Sequence, residues 1–339
     1  MARMRAMVVR ESGGDFELEE REVPQPGDGE ALVRVHACGV CHSDSFAKEG
    51  GYPGMSYPRV PGHEIAGEIA GLGDHVKGWK VGQRVGVGWF GGNCGYCEWC
   101  RRGSLIDCEN MGIPGVTMDG GYADYVVVRA SALASMPDDM GFEEAAPLLC
   151  AGITTFNALR TSGAPAGGRV AVLGVGGLGH LGIQFAAKLG FETVAIARGT
   201  AKEQLARGLG AHHYVDSTAG DPAQALLTLG GVDLILSTVT SSEAMAAVFG
   251  ALRPHGTLLV VGADMAPIEV PAAAFIAGAT GLRGHASGTS RDSEDTLSFS
   301  ALQGVKAMIE TLALEQAGEA YAKMMSGNAR FRMVLTTGA

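Results

Sequence analysis

The sequence predicts an α/β protein in two parts, one β-rich and one a doubly wound parallel sheet. Three observations predict it. The chain has 339 residues, more than one ordinary core holds. Its texture changes near Pro147, and from Gly168 onward it repeats strand, glycine turn and helix.

In the first part, Met4–Arg10, Glu30–Ala37, Glu64–Leu72 and Tyr122–Val128 alternate or cluster β-branched residues. Gly and Pro turns separate them at Pro24–Gly29, Gly50–Gly54 and Gly91–Gly95. In the second part, Arg169–Gly174 reads as a strand, Leu178–Leu189 as a helix, Thr193–Ala197 as a strand and Ala201–Leu209 as a helix. His213–Val215, Val232–Ser237, Thr257–Gly262 and Thr280–Gly284 continue the strand series. Short apolar strands without alternation suit a parallel sheet covered on both faces. After Asp292 the chain turns helical and ends in a strand-like Phe331–Leu335, expected to return to the first part. The expected domains are residues 1–150 with 290–339, and residues 151–289.

Hydrophobic residues make up 46% and charged residues 18%, a balance that excludes a disordered chain. The net charge is -10 with no basic block, which disfavours a nucleic-acid partner. Met1–Arg10 lacks a signal-peptide core, and no apolar run is long enough for a bilayer. No membrane partner and a cytoplasmic location are therefore expected.

The cysteines are 38, 41, 94, 97, 100, 108 and 150, an odd number and closely spaced, which argues for metal rather than disulfides. Cys94, Cys97, Cys100 and Cys108 form the most specific local pattern. Four thiolates close a tetrahedral zinc site against water, and Gly91, Gly92, Gly95 and Gly103 permit the bends. An iron–sulfur cluster competes, but here Glu109 rather than proline follows the fourth cysteine. With no open position, such a site is structural. Cys41, His63 and Cys150 offer a second set, two sulfurs and one nitrogen with one position open. Singly, each is weak: a histidine before Glu64 is commonly structural, and a cysteine after Leu148-Leu149 is commonly core.

Gly39–Asp44 (Gly-Val-Cys-His-Ser-Asp), Val60–Glu64 (Val-Pro-Gly-His-Glu), the four-cysteine lobe, Cys150–Thr154, the glycine run Gly174–Gly179 and the ending Gly327–Leu335 occur in one order across nearly the whole chain. This combination resembles the zinc-containing alcohol dehydrogenases of the medium-chain dehydrogenase/reductase superfamily, closer to the bacterial and yeast type. The resemblance implies a GroES-like catalytic domain and a Rossmann cofactor domain. It implies that Cys41, His63 and Cys150 hold a catalytic zinc, with Glu64 behind the metal as an occasional ligand. Asp44 would orient His63, and Ser43 would take or give the hydroxyl proton. His42 would face the cofactor pyrophosphate. Phe46 stands where members often carry a relay histidine, so the proton is expected to leave by another route, the cofactor ribose and water.

Gly174, Gly176, Gly177, Leu178 and Gly179 lie between an expected strand and helix, which makes this a dinucleotide fingerprint. The next strand ends in Arg198 with Lys202 close by, where an acid would select NAD. Arg198 suits a 2′-phosphate, so NADP is expected over NAD. The resemblance further implies cofactor contacts from Thr154, from Val261, Gly262 and Ala263, and from the His285–Gly288 stretch. Arg332 resembles a cofactor-phosphate arginine, with a surface salt bridge as its plainer role. Trp89 matches a pocket wall, to which Phe46 and Tyr52 would add. The reading is an NAD(P)-dependent dehydrogenase with two zincs, acting on primary or secondary alcohols or on aldehydes as a homodimer or homotetramer. A polyol or formaldehyde-type dehydrogenase is the nearest alternative, and a non-catalytic nucleotide-binding zinc protein is the reading from another class.

Overall fold

The computed structural model describes residues 2–262 and 265–338. In chain order its strands are β1 (Arg3–Val9), β2 (Phe16–Glu22), β3 (Glu30–Val40), β4 (Ile65–Leu72), β5 (Arg84–Val87), β6 (Tyr125–Arg129), β7 (Ala134–Ser135), β8 (Arg169–Leu173), β9 (Glu192–Ala197), β10 (His213–Asp216), β11 (Val232–Ser237), β12 (Leu252–Val260), β13 (Gly281–Gly284), β14 (Ile309–Ala313) and β15 (Arg332–Thr336). Contacts divide the chain into two compact units. One runs to Cys150 and resumes at Gly288; the other is Ala151–Ser287.

The first unit is built on a sheet of order β14-β15-β3-β4-β5-β7, with β6 also paired to β3. The eleven residues of β3 are its axis, joined antiparallel to β4, β6 and β15. Val33, Val35, Ile65, Ile69, Val85 and Val126 pack into one buried core. β1 and β2 form an antiparallel hairpin. The sequence reading missed β2, whose Phe-Glu-Leu-Glu-Glu-Arg-Glu is mostly charge. An antiparallel pair can turn one face to water, and there Glu17 and Glu19 meet Arg10. The C-terminal strand β15 pairs with β3, Met333 opposite Val40.

The second unit is one six-stranded sheet of order β10-β9-β8-β11-β12-β13, parallel throughout. This is the doubly wound arrangement, with its order reversing beside β8. β12 begins at Leu252, earlier than the expected Thr257, and passes through Pro254. The register against β11 shifts between Val232 and Leu234, and such an irregularity is where a strand accepts proline. No helix among the described residues is long and apolar enough to cross a membrane.

The helix Gly179–Lys188 packs close to the end of β8. A Cβ on Gly179 would collide with the Gly174 carbonyl, whereas one on Gly176 would meet nothing within 4 Å. Gly179→Ala is therefore expected to cost about 1–3 kcal/mol of stability, and Gly176→Ala within about 0.5 kcal/mol. Thermal melts of the two variants without cofactor check this; equal melting temperatures would sink it.

Candidate functional site

β3 ends at Val40 and delivers Cys41 into a 3₁₀ turn, His42–Asp44. His63 and Glu64 close the loop that leads into β4. Cys150 follows a second 3₁₀ turn, Ala146–Leu149. Ligand atoms of Cys41, His63, Glu64 and Cys150 all lie within 4.8 Å of one another. The Cys41 and Cys150 sulfurs are 3.7 Å apart. That is no disulfide, and it matches the edge of about 3.8 Å that two 2.3 Å zinc–sulfur bonds span in a tetrahedron.

His63 and Glu64 are fully buried and Asp44 is nearly so. His63 Nδ1 lies 3.0 Å from Asp44 Oδ1, which leaves Nε2 for the cluster. That Nε2 and Glu64 Oε2 are buried without a hydrogen-bond partner. Two sulfurs, a partnerless imidazole nitrogen and a carboxylate oxygen fit a zinc ion. A hydrogen bond from Cys150 and the neighbouring His63 pull the Cys41 thiol well below its usual range. Burial pushes the Glu64 carboxyl up to about 7, even against the pull of Arg332. Burial opposes charge on His63, but Asp44 outweighs it and raises its pKa.

Arg332 corrects the sequence reading. It is 4% exposed, and its guanidinium pairs with Glu64. The two form a buried ion pair, not a surface salt bridge. The signal was its setting: Met333, Val334 and Leu335 are all buried, and an arginine in such a strand needs a buried counter-charge.

His42 is exposed, and Ser43 is half-buried beside Cys41. The three expected wall residues do come together. Phe46 lies 5.8 Å from Tyr52 and 6.3 Å from Trp89, and Trp89 meets His63 edge-on at 5.1 Å.

The four-cysteine lobe also gathers its sulfurs within 4.8 Å. Gly95 and Gly103 take positive φ of 80° and 85°, which glycine tolerates best. The Cys94 amide donates to Cys108 Sγ at 3.3 Å, and Asn110 Nδ2 to Cys94 Sγ at 3.5 Å. Desolvation resists thiolate here, yet the Tyr96 and Cys97 amides and the Asn110 side chain bring the Cys94 thiol down to about 6.

In the second unit, Gly174 follows β8 with φ 100°, and a Cβ there would strike Thr238 and Val239. The loop Gly176, Gly177, Leu178 then enters the helix at Gly179. Arg198 follows β9, and Gly199 after it is held at both backbone groups. Its N–H donates to Asp216 Oδ1 at 2.7 Å, and its carbonyl accepts from Tyr214 at 2.6 Å. Lys202 Nζ donates to the Val175 carbonyl at 2.7 Å, tying this turn to the glycine loop. Burial and the nearby Arg198 lower the Lys202 pKa. Gly262 also approaches Thr238, and the His285 amide donates to Val260. Thr154 is buried on the helix Ala151–Arg160. Ala263 lies outside the described residues. The sequence reading overlooked Tyr214 and Asp216; their only signal was a polar end to an otherwise short strand.

Comparison with known proteins follows the same division. The "Alcohol dehydrogenase GroES-like domain" family matches residues 27–138, and the "Zinc-binding dehydrogenase" family residues 177–302. Alcohol dehydrogenase patD of Penicillium expansum is 42% identical over 97% of this chain and 96% of its own length. An alcohol dehydrogenase of Geobacillus stearothermophilus is 37% identical over 98% of each. Among solved structures, a Sorghum bicolor cinnamyl alcohol dehydrogenase has a TM-score of 0.89 at 29% identity, covering 100% of this chain and 98% of that one. A Helicobacter pylori CAD complexed with NADP(H) has a TM-score of 0.86 at 28% identity, covering 99% of each. Relatives matched nearly end to end, on a chain that gathers its own ligand cluster, decide the matter: it belongs to the zinc-dependent alcohol dehydrogenases of the medium-chain dehydrogenase/reductase superfamily.

Proposed function

We propose that this enzyme carries two zinc ions per chain, prefers NADP, and transfers a hydride between that cofactor and a primary or secondary alcohol or its carbonyl counterpart. The buried cluster of Cys41, His63 and Cys150, with its partnerless Nε2, carries the reading. The unit that holds it is the catalytic one; Ala151–Ser287 is the cofactor unit.

Cys41, His63 and Cys150 would hold the catalytic ion, with Glu64 able to join them. When bound there, zinc supplies a Lewis acid for the substrate oxygen. Asp44 keeps the proton on His63 Nδ1 and fixes the ring. Ser43 Oγ exchanges the hydroxyl proton, and Phe46 ends any side-chain relay beyond it. Trp89, Phe46 and Tyr52 form an apolar wall that keeps water from the reacting carbon. Cys94, Cys97, Cys100 and Cys108 hold the second ion purely as a brace. On the cofactor side, Gly174–Gly179 lets backbone approach the pyrophosphate. Arg198 and Lys202 supply paired positive charge for a 2′-phosphate, and Asp216, the carboxylate on the neighbouring strand, is already taken by Gly199 and Thr218. The NADP(H) in the Helicobacter pylori relative supports this choice. The chain acts in the cytoplasm as a homodimer or homotetramer, joined at the β13 edge, where Leu282 is exposed.

Metal analysis should find about two zincs per chain, one leaving to a chelator with the activity. A single tightly held zinc in active protein would refute the catalytic assignment. Arg198→Ala should lower kcat/KM for NADP roughly ten- to a hundred-fold, the worth of one charged hydrogen-bonding group, and leave the NAD value nearly unchanged. An equal effect on both cofactors counts against the phosphate role. Trp89→Ala should move selectivity toward bulkier alcohols in a substrate panel; an unchanged ranking removes Trp89 from the wall.

A further inference from the structure

Tyr122 is fully buried, yet it carries a hydroxyl. That hydroxyl donates to Asp44 Oδ2 at 2.8 Å. The same oxygen accepts the Cys41 amide at 2.8 Å. Oδ2 thus takes two donors, and Oδ1 is the oxygen that faces His63 Nδ1 at 3.0 Å. The tyrosine hydroxyl and the Cys41 amide together fix the rotation of the Asp44 carboxylate about its last bond, turning Oδ1 to His63.

Tyr122 also shapes the loop that carries His63. Its amide donates to the Pro61 carbonyl at 2.9 Å, and the Gly121 amide to the Gly62 carbonyl at 2.9 Å. Gly62 sits at φ 100°, and a Cβ there would run into the Tyr122 ring. One residue therefore grips the His63 loop by backbone, by ring, and through Asp44 by its hydroxyl.

We propose that Tyr122 is a positioning residue for the catalytic metal, holding Asp44 so that His63 presents Nε2 to the cluster in a fixed orientation. This rests on the catalytic-zinc reading above. Partners of this kind, one bond removed from a ligand, commonly change metal affinity or activity by roughly ten- to a hundred-fold. Tyr122 stands one bond further out, so the lower end is expected.

Tyr122→Phe deletes the hydroxyl and keeps the ring. The test measures zinc release from the purified holoenzyme to a chromogenic chelator, alongside zinc content. The variant should lose one of its two zincs about ten-fold faster than the wild type and the four-cysteine zinc at the wild-type rate. Phe16→Leu serves as the packing control, because Phe16 packs beside the Tyr122 ring with centroids 6.2 Å apart; its release rate should match the wild type. Two zincs with unchanged release in Tyr122→Phe, or equal acceleration in both variants, would overturn the proposal alone. A wild-type protein holding one zinc would overturn the catalytic-zinc reading and this proposal together.

Discussion

The first unit is organised by the need to bury charge around one point. Cys41, His63, Glu64, Asp44 and Arg332 are all at most 5% exposed. Ionised groups out of water are costly unless paired, and breaking such a pair costs about 3–5 kcal/mol. Three segments far apart in sequence must therefore meet within hydrogen-bonding tolerance. The last strand, β15, lies along β3, which brings Arg332 to Glu64. Gly39 is glycine because a Cβ there would strike the Glu64 carboxylate. Gly62 is glycine because the Tyr122 ring occupies that space. The sheet and its glycines are thus consequences of the cluster as much as supports for it.

The second unit solves a different problem, placing positive charge at the end of a strand. β9 ends beside two mutually repelling cations, Arg198 and Lys202. The turn between them cannot rely on attraction, so its rigidity comes from hydrogen bonds: both polar groups of Gly199 are held from β10.

Much of this was legible in sequence, for a physical reason. Metal loops and phosphate loops are local, because their ligands must converge within a few residues. Cys94–Cys108 and Gly174–Gly179 therefore announce themselves by spacing. The short apolar strands of the parallel sheet do the same through composition, and Val232–Ser237 fell on the expected residues. Features that depend on a distant partner did not. Glu64 and Arg332 are 268 residues apart, so nothing local names the carboxylate that this arginine meets. β2 is written in glutamates, and only its pairing with β1 makes it a strand. Tyr122 reads as one more apolar residue at the head of a strand; its hydroxyl matters only because Asp44 lies opposite.

The two sulfur clusters differ in where their hydrogen-bond donors go. In the lobe, amide donors already reach the sulfurs: Cys108 Sγ accepts from Cys94 and Asn110, and Asn93 reaches Cys100. These bonds favour thiolate at Cys94 and Cys100, while burial still pushes the Cys108 thiol up to about 11; an ion held by all four sulfurs would have no position left. In the cluster at Cys41, the donors go instead to Asp44, one shell away, and the groups facing inward keep their lone pairs: His63 Nε2 and Glu64 Oε2 are buried and unpartnered. Unmet hydrogen-bonding capacity in a buried site is destabilising by itself. It persists here because the surrounding shell is over-determined by Asp44, Tyr122 and Arg332. The cost of that arrangement is borne by the fold, and what it leaves is a nitrogen, two sulfurs and a carboxylate oxygen within 4.8 Å of one another.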